Sequence, residues 1–201
     1  MKYLGYIIDV IGIVTLIIGL YFFIKAKKQV KIENKRKRDK LEKPYVVVIG
    51  GGTGQSIFLR GLKKITPNIT AVVTVADDGG GSGVLRSDLG MLPPGDIRNC
   101  LLALANTEPT MQEVMQYRFE EGGLKGQSFG NLFLAAMNGL YGNFETAVYK
   151  IGQVFAITGR VLPVTLENVD LSAKLENGQI VKGESTIPKE VRKQKCKIDK
   201  I

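Results

Sequence analysis

Hydrophobic positions divide the chain into an apolar segment, a polar segment and a body in which strand and helix patterns alternate. Residues 4–24 are apolar except for Asp9 and Thr15. A helix of this length spans about 30 Å, the thickness of a bilayer core. A cleaved signal peptide is the alternative, but residues 22–25 offer no small-residue cleavage site. The pattern therefore predicts an uncleaved transmembrane anchor over residues 1–24.

The body, residues 44–188, has the pattern of an α/β protein. Unbroken β-branched runs over 45–49 and 69–75 predict strands buried on both faces, as parallel strands are. Between them, residues 55–65 place Ile57, Phe58, Leu62 and Ile65 at helical spacing, which gives a right-handed βαβ unit. Further helices are predicted over 96–105, 110–119 (with Thr110 as N-cap), 131–140 and 145–154, a strand over 160–166, and an Asn-Gly hairpin joining 171–175 to 179–182. The expected fold is a mostly parallel sheet flanked by helices.

Composition excludes several kinds of site. The 201 residues include no histidine, so the chain has no Ser-His-Asp or Cys-His triad and no histidine-ligated zinc. Two cysteines, Cys100 and Cys196, are too few for a four-cysteine metal site or a disulfide scaffold. Cys100 is expected to be a small core residue rather than a nucleophile.

The net charge of +9 belongs to the two ends of the chain. Residues 25–43 hold ten basic and three acidic side chains, and residues 189–201 hold six and two. The body is therefore close to neutral, which argues against a nucleic-acid groove. Residues 25–43 are predicted to be a juxtamembrane linker that adheres to anionic lipid, worth about 1 kcal/mol per cation. Because the basic run follows the anchor, the body is expected in the cytoplasm. Residues 189–201 are predicted to be a basic tail.

The first candidate binding loop follows the first strand and opens a helix. Glycine lets the backbone approach an anion, and a helix start offers free N–H groups and partial positive charge, so a phosphate or diphosphate is the natural guest. The loop is neither a G-x-G-x-x-G motif nor a Walker A motif. A tight turn without a ligand is the alternative. The residues concerned are Gly50, Gly51, Gly52, Thr53 and Gly54.

Three further polar segments could complete such a site. After the second strand, Asp77 and Asp78 could hold a sugar hydroxyl or Mg²⁺, and Gly79, Gly80 and Ser82 lie in a glycine run able to form an anion nest. A flexible loop with a solvated acid pair is the alternative. Next come Asp96, Arg98 and Asn99 at a helix start, where an arginine is best explained by an anionic partner, either Asp77, Asp78 or a phosphate; a surface arginine is the other option. In the fourth segment, Ser128 or Asn131 can cap a helix, and Asn131 can reach a ligand.

These segments, in this order, resemble the gluconeogenesis factor (YvcK-type) family, which is related to the 2-phospho-L-lactate transferases (CofD-type). The matching motifs are IGGGTG, ADDGGGSG, LPPGDIRN, SFGNLFLAAM and ITGRVLPVT. The resemblance implies a Rossmann-like fold that binds a nucleotide diphosphate. In the transferase branch the ligand is a GDP-activated phospholactate, used with Mg²⁺ and a deazaflavin acceptor. In the gluconeogenesis factor branch it is UDP-N-acetylglucosamine, and the role is regulation of carbon flow to the cell wall and of cell shape.

The sequence departs from that family in three respects. The family commonly has His at the position of Gln127 and Ser at that of Gly81, so the side-chain chemistry there differs. The resemblance is expected to end near Pro188, which predicts a domain incomplete at its C-terminus, with an exposed sheet edge, an exposed apolar face and marginal stability. Many family members also lack a membrane helix and are simply cytoplasmic.

Three hypotheses of function follow. The first is a membrane-tethered regulator that binds a UDP-sugar without turnover and acts on an enzyme of cell-wall precursor synthesis. The second is a Mg²⁺-dependent phospholactyl-type transferase in which Asp77 and Asp78 hold the metal. The third is a truncated scaffold that binds no ligand.

Overall fold

The computed structural model describes residues 15, 18–34, 43–107 and 109–201, which belong to two compact units, Met1–Pro44 and Tyr45–Ile201. In the first unit, residues 18–34 are helical with exposed side chains. Most of the predicted anchor, including residues 1–14, and the linker residues 35–42 lie outside the described residues. Among the residues that are described, no helix is both long and apolar enough to cross a bilayer.

The main sheet of the second unit has three parallel strands in the order β1-β2-β3. The strands are β1 (Val46–Gly50), β2 (Ile69–Val73) and β3 (Arg160–Pro163). Val46 pairs with Ile69, and Thr70 pairs with Arg160. The predicted parallel α/β architecture is therefore confirmed.

Among the described residues, six helices accompany this sheet. They are α1 (Gly52–Leu62), α2 (Gly80–Leu89), α3 (Gly95–Leu104), α4 (Pro109–Gln116), α5 (Phe129–Tyr141) and α6 (Phe144–Val154), with a 3-10 turn at Gly122–Leu124. Helix α3 packs on α1, β2 and β3, and α5 packs on α6. Of the two caps predicted for α5, Ser128 is the one observed, and it accepts the Asn131 N–H. The N-cap predicted at Thr110 is wrong, because α4 begins one residue earlier.

The core lies on one face of the sheet, around α3. Ile97, Leu101 and Leu104 of α3 are fully buried. The opposite face of β1 is open to solvent, since Val47 is 62% and Ile49 is 73% exposed. The prediction that this strand is buried on both faces is therefore wrong, while the expected exposed apolar face is present.

The buried face of α1 is not the face that its apolar residues predicted. Ile57 and Phe58 are exposed, whereas Leu59 is fully buried and Gln55 is nearly so. The Gln55 side-chain amide donates to the carbonyls of Val48 (3.1 Å) and Val72 (3.2 Å). A polar side chain that bridges two strands thus lies on the buried face of α1.

A second, antiparallel sheet has the order β5-β4-β6 and its own small core. The predicted hairpin is confirmed as β4 (Ser172–Leu175) and β5 (Ile180–Lys182). Helix α7 (Ile187–Gln194) and β6 (Ile198–Lys200) follow. The residues predicted to form a basic tail are thus structured, because Ile187 and Val191 lie one turn apart and pack on the hairpin core.

Candidate functional site

Four polar loops meet where β1 and β2 end. In chain order they are residues 50–54, 77–83, 93–99 and 126–131. The N–H of Gly52 donates to Asp96 Oδ2 at 2.7 Å, which joins the first loop to the third. A Cβ added at Gly95 would lie 2.6 Å from Ser82 Oγ, which joins the third to the second. One added at Gly81 would lie 2.7 Å from Gln127 Oε1, which joins the second to the fourth. The structure therefore brings together the segments that the sequence singled out.

The first loop is shaped around Asp96. A Cβ at Gly51 would overlap Thr74 Oγ1 and lie 2.7 Å from Asp96 Oδ2, so only glycine fits there. Gly52 has a φ of +67°, which also favours glycine. Burial raises the pKa of Asp96 and the nearby Asp77 adds to this, while the Gly52 N–H opposes it. The carboxylate of Asp96 thus already accepts a hydrogen bond from one N–H of the loop, that of Gly52.

The two adjacent aspartates have different partners. Asp77 Oδ1 accepts the Gly79 N–H at 2.9 Å, within its own loop. Asp78 Oδ1 accepts the Ser185 N–H at 2.8 Å, more than one hundred residues along the chain. Burial disfavours the charged form of Asp78, but hydrogen bonds, mainly from Ser185, outweigh it and lower its pKa. Asp78 therefore links its loop to the loop before α7, whereas the hydrogen bond of Asp77 stays within its own loop.

A further carboxylate, Glu184, joins the site from the loop before α7. Burial raises its pKa, and the charges of Asp77, Asp78 and Asp96 raise it further. These acids nevertheless form no ready-made cation site: in the described part of the chain, no three carboxylate or thiol groups are placed to hold one metal ion.

The positively charged side chain of Arg98 is hydrogen-bonded to neutral side chains. Its Nη1 donates to Ser128 Oγ and to Asn131 Oδ1 (3.0 Å), and its Nη2 donates to Asn99 Oδ1 (3.0 Å). Among the described residues it forms no ion pair, so the predicted pairing with Asp77 or Asp78 is not observed. Burial lowers its pKa, as does the nearby Arg118. The charge of Asp96 acts in the opposite direction without forming an ion pair. A fixed guanidinium held by neutral acceptors is suited to an anionic ligand.

Backbone packing holds this arginine in place. A Cβ at Gly130 would lie 2.5 Å from the Met115 carbonyl oxygen and 2.6 Å from Arg98 Cδ, so glycine lets α5 begin directly against the arginine.

Cys100, two residues beyond Arg98, is fully buried, and burial raises the pKa of its thiol to about 12. It is a core residue, as predicted.

A family model described as 2-phospho-L-lactate transferase CofD matches residues 46–201. The chain belongs to the CofD family. A protein of Thermoanaerobacterium thermosulfurigenes is 69% identical over 161 residues, which cover 80% of this chain and 50% of that protein. The gluconeogenesis factor of Bacillus subtilis is 51% identical over 148 residues, which cover 73% of this chain and 47% of that protein. A crystal structure of a Bacillus halodurans member of the UPF0052 family superposes with a TM-score of 0.71 at 46% identity, covering 78% of this chain and 50% of that one.

These matches confirm the resemblance and correct its extent. The CofD family match reaches residue 201, so the expectation that it ends near Pro188 is wrong. The chain spans about half the length of the relatives named above.

Sequence reasoning missed three residues of this candidate site, Thr74, Glu184 and Ser185. Thr74 directly follows β2, and its side chain hydrogen-bonds Asp96. Glu184 and Ser185 follow Gly183, whose φ is +98°, and precede a helix. The signal of glycine and polar residues before a helix start was therefore present, as it was in the other four loops.

Proposed function

We propose that this CofD-family chain binds UDP-N-acetylglucosamine as a regulator of carbon flow to the cell wall and of cell shape, without turning the ligand over. The convergence of four glycine-bearing loops on the ends of β1 and β2, beside an Arg98 that forms no ion pair with any described residue, is the observation that carries the proposal. In open parallel sheets, ligands bind at the carboxyl ends of the strands. The name of the Bacillus subtilis relative supports the regulatory role.

In this proposal the diphosphate lies at the start of α2. The N-cap of that helix, Gly79, has an extended backbone and no side-chain cap, so the first-turn N–H groups are not taken up by a side chain. Gly80 has a φ of +49° and nothing within 4 Å of its Cβ position, so it borders open space. Arg98 offsets the charge of the phosphates, and Asn99 and Asn131 orient the ligand. Asp77 accepts a sugar hydroxyl, and Thr53 and Gly54 face the phosphates from α1.

The alternative, a phospholactyl-type transferase, is favoured by the description of the family model. Its Mg²⁺ would be held by Asp77 and Asp78. The residues as placed do not form a ready metal site, because no three carboxylate or thiol groups of the described residues surround one position, and Asp78 Oδ1 is already engaged by Ser185. The binding role is therefore preferred.

Asp77→Asn separates the two functions. The amide oxygen can still accept the Gly79 N–H, so the loop is kept while one negative charge is lost. For a binder we expect UDP-N-acetylglucosamine affinity to fall about tenfold, as for one charged hydrogen bond. Calorimetry with and without Mg²⁺ measures this, with Asp88→Asn at the exposed end of α2 as the charge-matched control.

Three results would contradict the proposal. One is binding of GDP compounds in place of UDP compounds. Another is a Mg²⁺-dependent product, formed from a nucleotide-activated donor, that the substitution eliminates. The third is the absence of nucleotide binding by a folded wild-type chain, which would favour the non-binding scaffold.

We further propose that residues 1–24 anchor the chain in the cell membrane, with the basic residues 25–43 against anionic lipid and a cell-wall precursor enzyme as the regulated partner. The support is the apolar run and the basic run of the sequence. The full chain should co-sediment with vesicles containing anionic lipid, and a chain starting at residue 44 should not. Equal sedimentation of the two would contradict the anchor.

A further inference from the structure

A second polar pocket, of about 410 Å³, lies between α1 and α3. Helix α1 contributes Thr53, Ser56, Ile57 and Arg60 to its lining, and helix α3 contributes Arg98 and Asn99. Thr53, Ser56 and Arg60 are three and four residues apart, so they share one face of α1. The pocket therefore extends from the first turn of α1 to a point two turns further on.

The charged side chains that line this pocket are all basic. Its lining among the described residues includes two guanidinium groups and no acidic side chain. Within those same parts of the chain, neither Arg60 nor Arg98 takes part in an ion pair, and Arg98 Nε is buried without a hydrogen-bond partner. By contrast, Arg86 lies 2.6 Å from Asp170. Two arginines that converge without a carboxylate are typical of phosphate recognition.

The remaining lining is partly apolar. Ile57 is 64% exposed, although it lies at a position predicted to be in the core. It borders the pocket together with Leu102. The volume is in the range of small-molecule sites and exceeds what a single inorganic anion needs. The walls therefore suit an organic group attached to the phosphate.

We propose that the pocket between α1 and α3 binds a phosphate monoester, with Arg60 and Arg98 on the phosphate oxygens and Ile57 against the organic part. This pocket adjoins the proposed diphosphate site and shares Thr53, Arg98 and Asn99 with it, while Arg60 and Ile57 belong to the pocket alone. The monoester is either a separate small molecule or a further phosphate carried by the nucleotide ligand.

Arg60→Gln tests the proposal, because Arg60 is exposed and lies outside the group of residues that hold the loops together. Inorganic phosphate is titrated into the full chain and followed by calorimetry. We expect the substitution to weaken phosphate binding about tenfold. Lys64→Gln, just beyond the end of α1, removes the same charge outside the pocket and should leave the affinity unchanged. Equal phosphate affinity in wild type and Arg60→Gln, or an equal loss in both variants, would overturn the proposal.

Repeating the titration with UDP-N-acetylglucosamine present distinguishes the two sources. Phosphate that still binds, with Arg60→Gln leaving nucleotide affinity unchanged, indicates a separate monoester. Phosphate that is excluded, with Arg60→Gln weakening the nucleotide also, indicates a further anionic group of the same ligand. Because the phosphate titration needs no nucleotide, its result stands if the UDP-sugar proposal fails, and the reverse also holds.

Discussion

Replacing Gly83 by alanine is expected to eliminate measurable binding of UDP-N-acetylglucosamine and to lower the free energy of unfolding by about 2–4 kcal/mol. Gly83 lies in the first turn of α2 and its N–H donates to the Gly79 carbonyl. A Cβ there would overlap the carbonyl oxygen of Asp78 and lie 2.8 Å from its carbonyl carbon. These are backbone atoms, so a side-chain rotation cannot relieve the overlap. The loop that carries Asp77 and Gly79 must move instead.

Calorimetry and urea denaturation measure the two effects of Gly83→Ala. Gly139→Ala is the matched control, because Gly139 lies inside α5 with nothing within 4 Å of its Cβ position. That substitution should leave binding unchanged and stabilise the chain by about 1 kcal/mol, the helix propensity difference. Wild-type binding by a folded Gly83→Ala variant would mean that the start of α2 does not hold the ligand.

The loops of the site could be predicted because their signal is local. Continuous β-branched runs identify parallel strands, and glycine with polar residues after them identifies loops at the carboxyl ends. Parallel pairing of β1 with β2 then brings those loops to one edge. The meeting of Gly52 with Asp96 follows from this topology rather than from any motif taken alone.

Features that depend on long-range partners could not be predicted. Gln55 is buried because it can reach carbonyl oxygens on two strands at once, and no periodicity in α1 encodes that. Asp78 looked like a ligand residue, but its partner, Ser185, is supplied by a distant loop. The basic composition of residues 189–201 gave no indication of the short amphipathic helix there, because the hydrophobic residues occupy only one face of that helix.

The exposed face of β1 shows a different limit of local reasoning. The residues of a buried strand are present in the sequence, but the layer that would cover them is not among the described residues. Val47 and Ile49 therefore face solvent, although their run predicted burial on both faces. The pattern indicates what the strand can bury, and only the rest of the fold decides whether it does so.

Gly159→Ala is expected to lower the free energy of unfolding by about 3 kcal/mol or more, through two separable costs. Gly159 has a φ of +87°, and forcing a side chain into that region costs about 1–2 kcal/mol. A Cβ would also overlap the Ile69 carbonyl oxygen and lie 2.9 Å from Ile69 Cβ. The turn cannot move away freely, because Thr158 N–H donates to the Leu104 carbonyl at 2.8 Å and Arg160 pairs with Thr70.

Gly178→Ala measures the cost of a side chain at positive φ without the overlap. Gly178 has nearly the same φ, +85°, in the hairpin between β4 and β5, with nothing within 4 Å of its Cβ position. Urea denaturation of this variant should show a loss of only about 1–2 kcal/mol. The difference between the two variants then measures the close approach of the turn before β3 to β2. An equal loss in both would mean that β3 does not lie against Ile69, and the sheet that supports the ligand loops would need a different third strand.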